Sequence, residues 1–136
     1  MKTVKALLYY LGISNGVTGI WALFFPKQFY TSFPGFGFHW IDIMGPFSDH
    51  LTRDVGAFFC AIGSMAIFAV IRPAINKIRL ACYSNLVFAV PHLIYHCYMI
   101  HMFPTAADKF WGILALALGA IAPVIILLKL NVTKSI

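Results

Sequence analysis

Residues 110–130 have the sequence FWGILALALGAIAPVIILLKL, in which Lys129 is the one charged residue. A run of about 20 apolar residues can cross the ~30 Å hydrocarbon layer of a bilayer as a helix. Three further stretches have a similar length, residues 5–25, 51–71 and 78–100. Of the 136 residues, 61% are hydrophobic and 10% are charged, and the mean hydropathy is +0.85. Because soluble domains are far less apolar, the sequence predicts an all-α integral membrane four-helix bundle, with residues 1–136 forming one domain.

The first apolar stretch must be distinguished from a secretory signal peptide, because it follows the basic residues Lys2 and Lys5. Its apolar part is longer than the roughly 7–15-residue core of a signal peptide. The aromatic end of the stretch, Trp21 to Pro26, also lacks a small-residue cleavage site. We therefore predict that it is a spanning helix.

The basic residues predict the orientation, since lysine and arginine favour cytoplasmic loops. Lys27, Arg53 and Lys109 lie on one side of the predicted membrane, and the other side carries Lys2, Lys5, Arg72, Lys77, Arg79, Lys129 and Lys134. Both termini are therefore predicted to be cytoplasmic, in a protein of the bacterial inner membrane. The net charge of +6 suits anionic lipid headgroups. The basic residues form no contiguous stripe, which argues against nucleic acid as a partner.

On this topology, the outer side carries every acidic residue and every histidine of the chain: Asp42, Asp49, Asp54, Asp108, His39, His50, His92, His96 and His101. Membrane anchoring alone does not require such an asymmetry, so we expect the functional site there. The outer loop from Pro26 to His50 is too aromatic for a solvated linker. It is predicted to be either a lid over the bundle or an anchor in the membrane interface, with its glycines and prolines excluding a regular helix through residues 29–40.

Helical spacing sorts the charges at the start of the second span into two pairs, Asp49 with Arg53 and His50 with Asp54. The same side of this helix continues with the small residues Ala57, Cys60, Ala61 and Ser64, whereas Leu51, Val55, Phe58, Phe59 and Ile62 point the other way. Since charge is costly in lipid, the small, polar side is predicted to face the interior of the bundle.

The third span carries a complementary stripe, which consists of Ala81, Asn85, Ala89, His92, His96 and Met99. Pro91 should kink this helix beside the histidines, because it lacks a backbone N–H. The connection around Arg72 and Pro73 is short, so the second and third spans must be antiparallel neighbours. His50 and Asp54 of the second span are then predicted to converge with His92 and His96 of the third.

Two histidines on one helical face, with a carboxylate and another imidazole from the next helix, match the ligands of a divalent transition metal such as zinc, iron, manganese or copper. The predicted metal ligands are His50, Asp54, His92 and His96. Asn85, Arg53 and Asp49 are predicted to contact the cofactor or to orient its ligands. If the site is catalytic, His96 and Asp54 are the candidate acid–base residues. The competing interpretation is a structural network of hydrogen bonds that joins the two helices.

Several other functions use the same residues. A haem would need His50 opposite His92 or His96, and a quinone or another lipid-soluble molecule would exchange protons with histidine and Asp54. An accessory subunit would instead bind a membrane partner or a second copy of the chain, through the aromatic loop or the Gly12-x-x-x-Gly16 face of the first span. Continuous transport is disfavoured, because only one half of the membrane carries polar groups. Cys60, Cys82 and Cys97 form no Cys-x-x-Cys pair, which argues against dithiol chemistry.

Two motifs carry a resemblance to a known group. Asp49-His50-x-x-Arg53-Asp54-x-Gly56 opens the second span, and Phe88-x-x-Pro91-His92-x-x-x-His96 lies in the third. This pattern resembles small bacterial four-helix membrane proteins of the broad DoxX-like group, over nearly the whole chain. The group is named for its association with thiosulfate:quinone oxidoreduction, so the resemblance implies a redox subunit.

Overall fold

The computed structural model describes residues 2–132 of the chain, so Lys134 of the orientation prediction lies outside the described residues. The structure is mostly helical, with a two-stranded antiparallel hairpin, β1 (Pro34–Gly35) and β2 (Phe38–His39). Its α-helices are α1 (Lys2–Phe24), α2 (Pro26–Ser32), α3 (Asp49–Ile71), α4 (Ile75–Tyr98) and α5 (Ala106–Val132). Short 3-10 turns cover Asp42–Met44 and Ile100–Met102. Each of the four predicted spans thus coincides with a long helix.

Three of these helices, α1, α3 and α5, are long and apolar enough to cross a membrane. The helix α4 is equally long, at 24 residues. Its polar residues, among them Asn85, His92 and His96, lower its mean hydropathy. The prediction of membrane-spanning helices is therefore supported for three of the four stretches by length and composition.

The helices α1 and α3 approach each other closely at glycines. A Cβ atom on Gly56 would lie 2.5 Å from the backbone nitrogen of Leu23, and one on Gly19 would lie 2.6 Å from that of Cys60. Further along, a Cβ atom on Gly63 would lie 2.9 Å from the backbone nitrogen of Gly16. Only glycine permits such contact between helix backbones, so these residues fix which side of α3 faces α1.

This contact corrects the predicted orientation of α3. The buried residues of α3 are Gly56, Ile62, Gly63, Ala66, Ala69 and Val70, whereas Asp54, Ala57, Ala61 and Ser64 are exposed. The small, polar side therefore faces outwards, not into the interior as the sequence predicted. The physical reason is that Gly56 and Gly63 allow a closer backbone approach than alanine or serine, and their docking on α1 turns Asp54 away.

The four long helices pack tightly in one half of the molecule, the half that holds the start of α1 and the end of α5. The core here includes Leu8 and Leu11 of α1, Ala69 of α3, Cys82 of α4 and Ile126 of α5. In the other half the helices enclose a cavity. The helix α3 contacts α4 less extensively than it contacts α1, and side chains of both α3 and α4 line this cavity.

The segment between α1 and α3 covers the half of the molecule that contains the cavity. It begins with α2, where Pro26 occupies the first helical position, a favourable place for proline. The sequence prediction of no regular helix in residues 29–40 is thus wrong for residues 29–32 and holds beyond them. The segment ends at Ser48, whose hydroxyl accepts a hydrogen bond from the Leu51 amide and caps α3.

Candidate functional site

A cavity of about 390 Å³ lies between the long helices, beneath the segment that joins α1 to α3. Its wall is mostly apolar, and the aromatic side chains in it include Phe29, Phe33, Trp40, Phe59, Phe88 and Phe103. A cavity of this size and character is typical of a small-molecule site. We therefore take it as the candidate functional site.

One wall of the cavity is formed by α4 and carries the stripe predicted from the sequence. Asn85, Ala89, His92 and His96 all line the cavity. On the opposite side of the same helix, Tyr83, Val87, Val90, Ile94 and Tyr98 are exposed. The predicted orientation of α4 is thus confirmed, since the period of its polar residues is helical and the helix has one interior side.

His92 and His96 lie against each other in this wall, with ring centroids 4.5 Å apart and an interplanar angle of 70°. His92 also stacks on Phe88, at 4.8 Å and 22°. Nδ1 of His96 is buried and makes no hydrogen bond within residues 2–132. Each neutral imidazole has one donor and one acceptor nitrogen, so the pair presents hydrogen-bonding groups in an aromatic surrounding.

The other two predicted metal ligands lie elsewhere. His50 and Asp54 pair with each other on α3, with Nε2 and Oδ2 3.2 Å apart and the side chains 89% and 61% exposed. Neither lines the cavity. The predicted convergence of His50 and Asp54 with His92 and His96 is therefore not found, because the docking of α3 on α1 turns this pair outwards.

Of the three residues predicted to contact or orient a cofactor, only Asn85 lines the cavity. Arg53 pairs with Asp49 at 2.8 Å and donates a hydrogen bond from Nη1 to the carbonyl oxygen of Leu23 at 2.6 Å. Both side chains are about half exposed. They therefore join the start of α3 to the end of α1, away from the histidine pair.

Across residues 2–132, no three histidine, cysteine, aspartate or glutamate side chains are grouped so as to hold a metal ion. His92 and His96 bring two imidazoles together, which is fewer ligands than a zinc site uses. The three cysteines are dispersed, with Cys82 buried, Cys97 exposed and Cys60 between these extremes. Metal binding stays a prediction from the sequence.

A second polar group lies at the other end of the cavity, on α1 and α4. Nδ2 of Asn15 donates to Oδ1 of Asn85 at 2.9 Å, and Nδ2 of Asn85 donates to the carbonyl oxygen of Gly119 at 2.9 Å. Asn85 is only 4% exposed. These two bonds connect α1, α4 and α5 through one buried side chain.

The aromatic segment over the cavity is held by an acidic residue whose role the sequence did not reveal. Asp108 is 5% exposed, and its Oδ1 accepts a hydrogen bond from Nε1 of Trp40 at 3.1 Å. Its Oδ2 accepts from Thr105, whose hydroxyl in turn accepts from the Asp108 amide at 3.1 Å. The spacing of Thr105 and Asp108 matches a capping box at the start of α5, which was the available signal.

This segment therefore forms a roof, with Phe29, Phe33 and Trp40 lining the cavity. The tip of its hairpin, Phe36, points away and is 99% exposed. Of the two roles predicted for the aromatic loop, the position over the cavity fits a lid. The exposed tip is also suited to contact with the membrane interface.

Two side chains of the cavity wall are also exposed at the surface of the molecule. Leu51 and Tyr95 line the cavity and are 62% and 51% exposed. They lie at the start of α3 and in the last turns of α4. Since both side chains are largely apolar, entry past them would suit a lipophilic molecule.

Searches against protein families, curated proteins and solved structures find no match to this chain. The resemblance to the DoxX-like group stays a prediction. The cavity and its side chains are therefore the features of this molecule that indicate a function.

Proposed function

We propose that this chain is an integral membrane protein with four spanning helices that binds a lipophilic small molecule in its cavity. His92 and His96 hydrogen-bond the polar group of the ligand. A quinone is the class that fits best, because it combines a flat ring, suited to an aromatic wall, with carbonyl oxygens that accept from imidazole. The observation that carries the proposal is the pair of adjacent histidines in a mostly apolar cavity.

We include α4 among the spanning helices because the side of it that faces outwards is largely apolar. Tyr83, Val87, Val90 and Ile94 are between 42% and 75% exposed, and they offer lipid a largely apolar surface. Three polar residues that lower the mean hydropathy of α4, Asn85, His92 and His96, line the cavity instead. An intramembrane polar residue that faces the protein interior is the expected arrangement in a spanning helix.

The proposed orientation places both termini in the cytoplasm. The basic residues Lys2, Lys5, Arg72, Lys77 and Arg79 lie at the end of the molecule that holds the tight core. There, Nη2 of Arg79 donates to Oδ1 of Asn131 at 3.1 Å. Since this end is the more basic, the positive-inside tendency assigns it to the cytoplasm. The cavity then lies in the outer half of the bilayer.

Polar groups buried at membrane depth are costly, which makes a function for His92 and His96 the default expectation. A purely structural role would require them to be bonded to neighbouring helices. Among the described residues, the bonds that join helices through the interior run through Asn85 instead. This difference favours ligand binding over the structural alternative for the two histidines.

The proposal is tested by titrating the full chain, purified in mild detergent, with menadione, a small naphthoquinone. Trp40 lines the cavity, so a quinone bound there quenches its fluorescence. We expect saturable quenching that disappears in Trp40→Phe. His92→Leu and His96→Leu should each weaken binding about 5-fold, which corresponds to about 1 kcal/mol for a lost hydrogen bond.

The matched control is His50→Leu, which removes an exposed histidine outside the cavity. This variant should bind menadione as the native chain does. Quenching that is linear and unsaturable in every variant would reflect partition into detergent only, and would overturn the proposal.

A further inference from the structure

Away from the histidines, two side-chain oxygen atoms of the cavity wall make no hydrogen bond to the described part of the chain. Asn15 donates through Nδ2 to Asn85, and its Oδ1 makes no hydrogen bond within residues 2–132. In the same part of the chain, the hydroxyl of Thr18 makes no hydrogen bond either. Both side chains line the cavity.

The orientation of the Asn15 amide is set by its neighbours. Oδ1 of Asn85 must face Asn15, because Nδ2 of Asn85 is engaged by the carbonyl oxygen of Gly119. Asn15 therefore turns its own Nδ2 towards Asn85 and presents its oxygen on the other side. An amide oxygen only accepts, so its complement is a donor group such as a hydroxyl or an N–H.

The nearby Ser14 shows that a hydroxyl on this part of α1 can bond within its own helix. Ser14 also lines the cavity, and its hydroxyl donates to the carbonyl oxygen of Tyr10 at 2.7 Å. Threonine in a helix commonly makes the same bond to the preceding turn. Thr18 does not, which leaves its donor and acceptor available to a ligand.

The two polar ends of the cavity are separated along α4. Asn85 and His92 are seven residues apart, which corresponds to about 10 Å along an α-helix. Apolar side chains lie between these levels, among them Phe88, Ala89 and, from α3, Phe59. The cavity therefore has hydrogen-bonding groups at both levels, with a mostly apolar wall between them.

We infer that Asn15 and Thr18 form a second hydrogen-bonding subsite, so that the ligand is a lipophilic molecule with a polar group at each end. The group at the Asn15 end bears a hydrogen-bond donor, as the hydroxyl of a reduced quinone does, and the other contacts His92 and His96. Asn85 acts as a positioning residue, because it fixes the Asn15 amide. This inference rests on the proposed function, since it concerns the same cavity.

The experiment compares two rigid probes as competitors of menadione, in the full chain purified in mild detergent. The probe para-biphenol carries a hydroxyl at each end, whereas para-phenylphenol carries only one. We expect para-biphenol to compete about 5-fold more strongly in the native chain, in line with one additional hydrogen bond. In Thr18→Val, which keeps the shape of the side chain, this preference should fall at least 2-fold.

Two control variants separate the hydroxyl from effects on folding. Thr18→Ser retains a hydroxyl and should keep most of the preference. Ser14→Ala removes a hydroxyl that is already bonded within α1, and should keep all of it. A thermal unfolding curve for each variant shows that the compared proteins are folded.

Each outcome bears on a different claim. If menadione binds but the two probes compete equally, or if Thr18→Val retains the full preference, the second subsite is refuted while the proposed function stands. If neither menadione nor the probes bind, the proposed function fails and this inference fails with it.

Discussion

Asn85 joins three helices, α1, α4 and α5, through hydrogen bonds of one buried side chain. It accepts from Asn15 and donates to the carbonyl oxygen of Gly119, and it is almost fully buried. The sequence placed it on the interior side of α4, because polar residues recur there with a helical period. Its partners were not predictable, since they lie 70 and 34 residues away.

Replacing Asn85 should therefore destabilise the protein. Asn85→Leu leaves the Nδ2 group of Asn15 and the carbonyl oxygen of Gly119 without their partner. We expect the free energy of unfolding to fall by roughly 1–3 kcal/mol, as measured by denaturation in mixed micelles. Ser64→Ala is the matched control, because Ser64 is exposed and its hydroxyl bonds only within α3. Equal stability of the two variants would contradict the structural role of Asn85.

At the scale of elements, the side of α3 that packs against α1 is decided by glycines. Periodicity alone favoured the side with Asp54, Ala57 and Ala61, because small and polar residues usually face the interior of a membrane bundle. Glycine outweighs this tendency, since it lets two backbones touch. The sequence contained this signal at Gly56 and Gly63, but it did not show which glycines meet.

The contrast between two glycines tests this packing. A Cβ atom on Gly56 would lie 2.5 Å from the backbone nitrogen of Leu23, whereas one on Gly16 would meet nothing within 4 Å. Gly56→Ala should lower the free energy of unfolding by roughly 1–3 kcal/mol through overpacking. Gly16→Ala should leave it unchanged or raise it by up to about 1 kcal/mol, through helix propensity. A stability loss in Gly16→Ala that equals the loss in Gly56→Ala would refute this packing.

The roof over the cavity is held by a contact that local sequence patterns do not predict. Aromatic residues and glycines in the segment between α1 and α3 indicated a loop that lies against the protein or the membrane interface. The contact that holds it joins Trp40 to Asp108, 68 residues apart. A capping box at Thr105 and Asp108 was visible in the sequence, but nothing in it indicated that the carboxylate would also accept from a tryptophan.

For the whole molecule, the proposal implies a definite orientation in the membrane. A fluorescent protein that folds only in the cytoplasm, fused after the last residue, should fluoresce. Alkaline phosphatase, which is active only outside the cytoplasm, should be inactive at this position. The same phosphatase fused after Phe103 should be active, because the 3-10 turn before that residue lies at the end of the molecule assigned to the outer side. The reverse pattern would contradict the orientation.

The separation into a packed half and a hollow half was only partly predictable. Four long helices and the polar stripe of α4 follow from length and period, so the sequence indicated a site on this helix. A cavity depends on how far helices diverge, and that is set by contacts between distant residues. The expected cluster of four metal ligands is therefore not found, because two of them, His50 and Asp54, lie on the exposed side of α3.

The most direct test of ligand binding at the histidine pair is a spectrum of the histidine side chains. Imidazole nitrogen chemical shifts are measured on isotope-labelled protein in detergent, with and without menadione, and are assigned by single histidine substitutions. We predict that the signals of His92 and His96 move on binding while that of His50 does not. Unchanged signals from His92 and His96 at a menadione concentration that saturates the quenching of Trp40 would contradict their role in ligand binding.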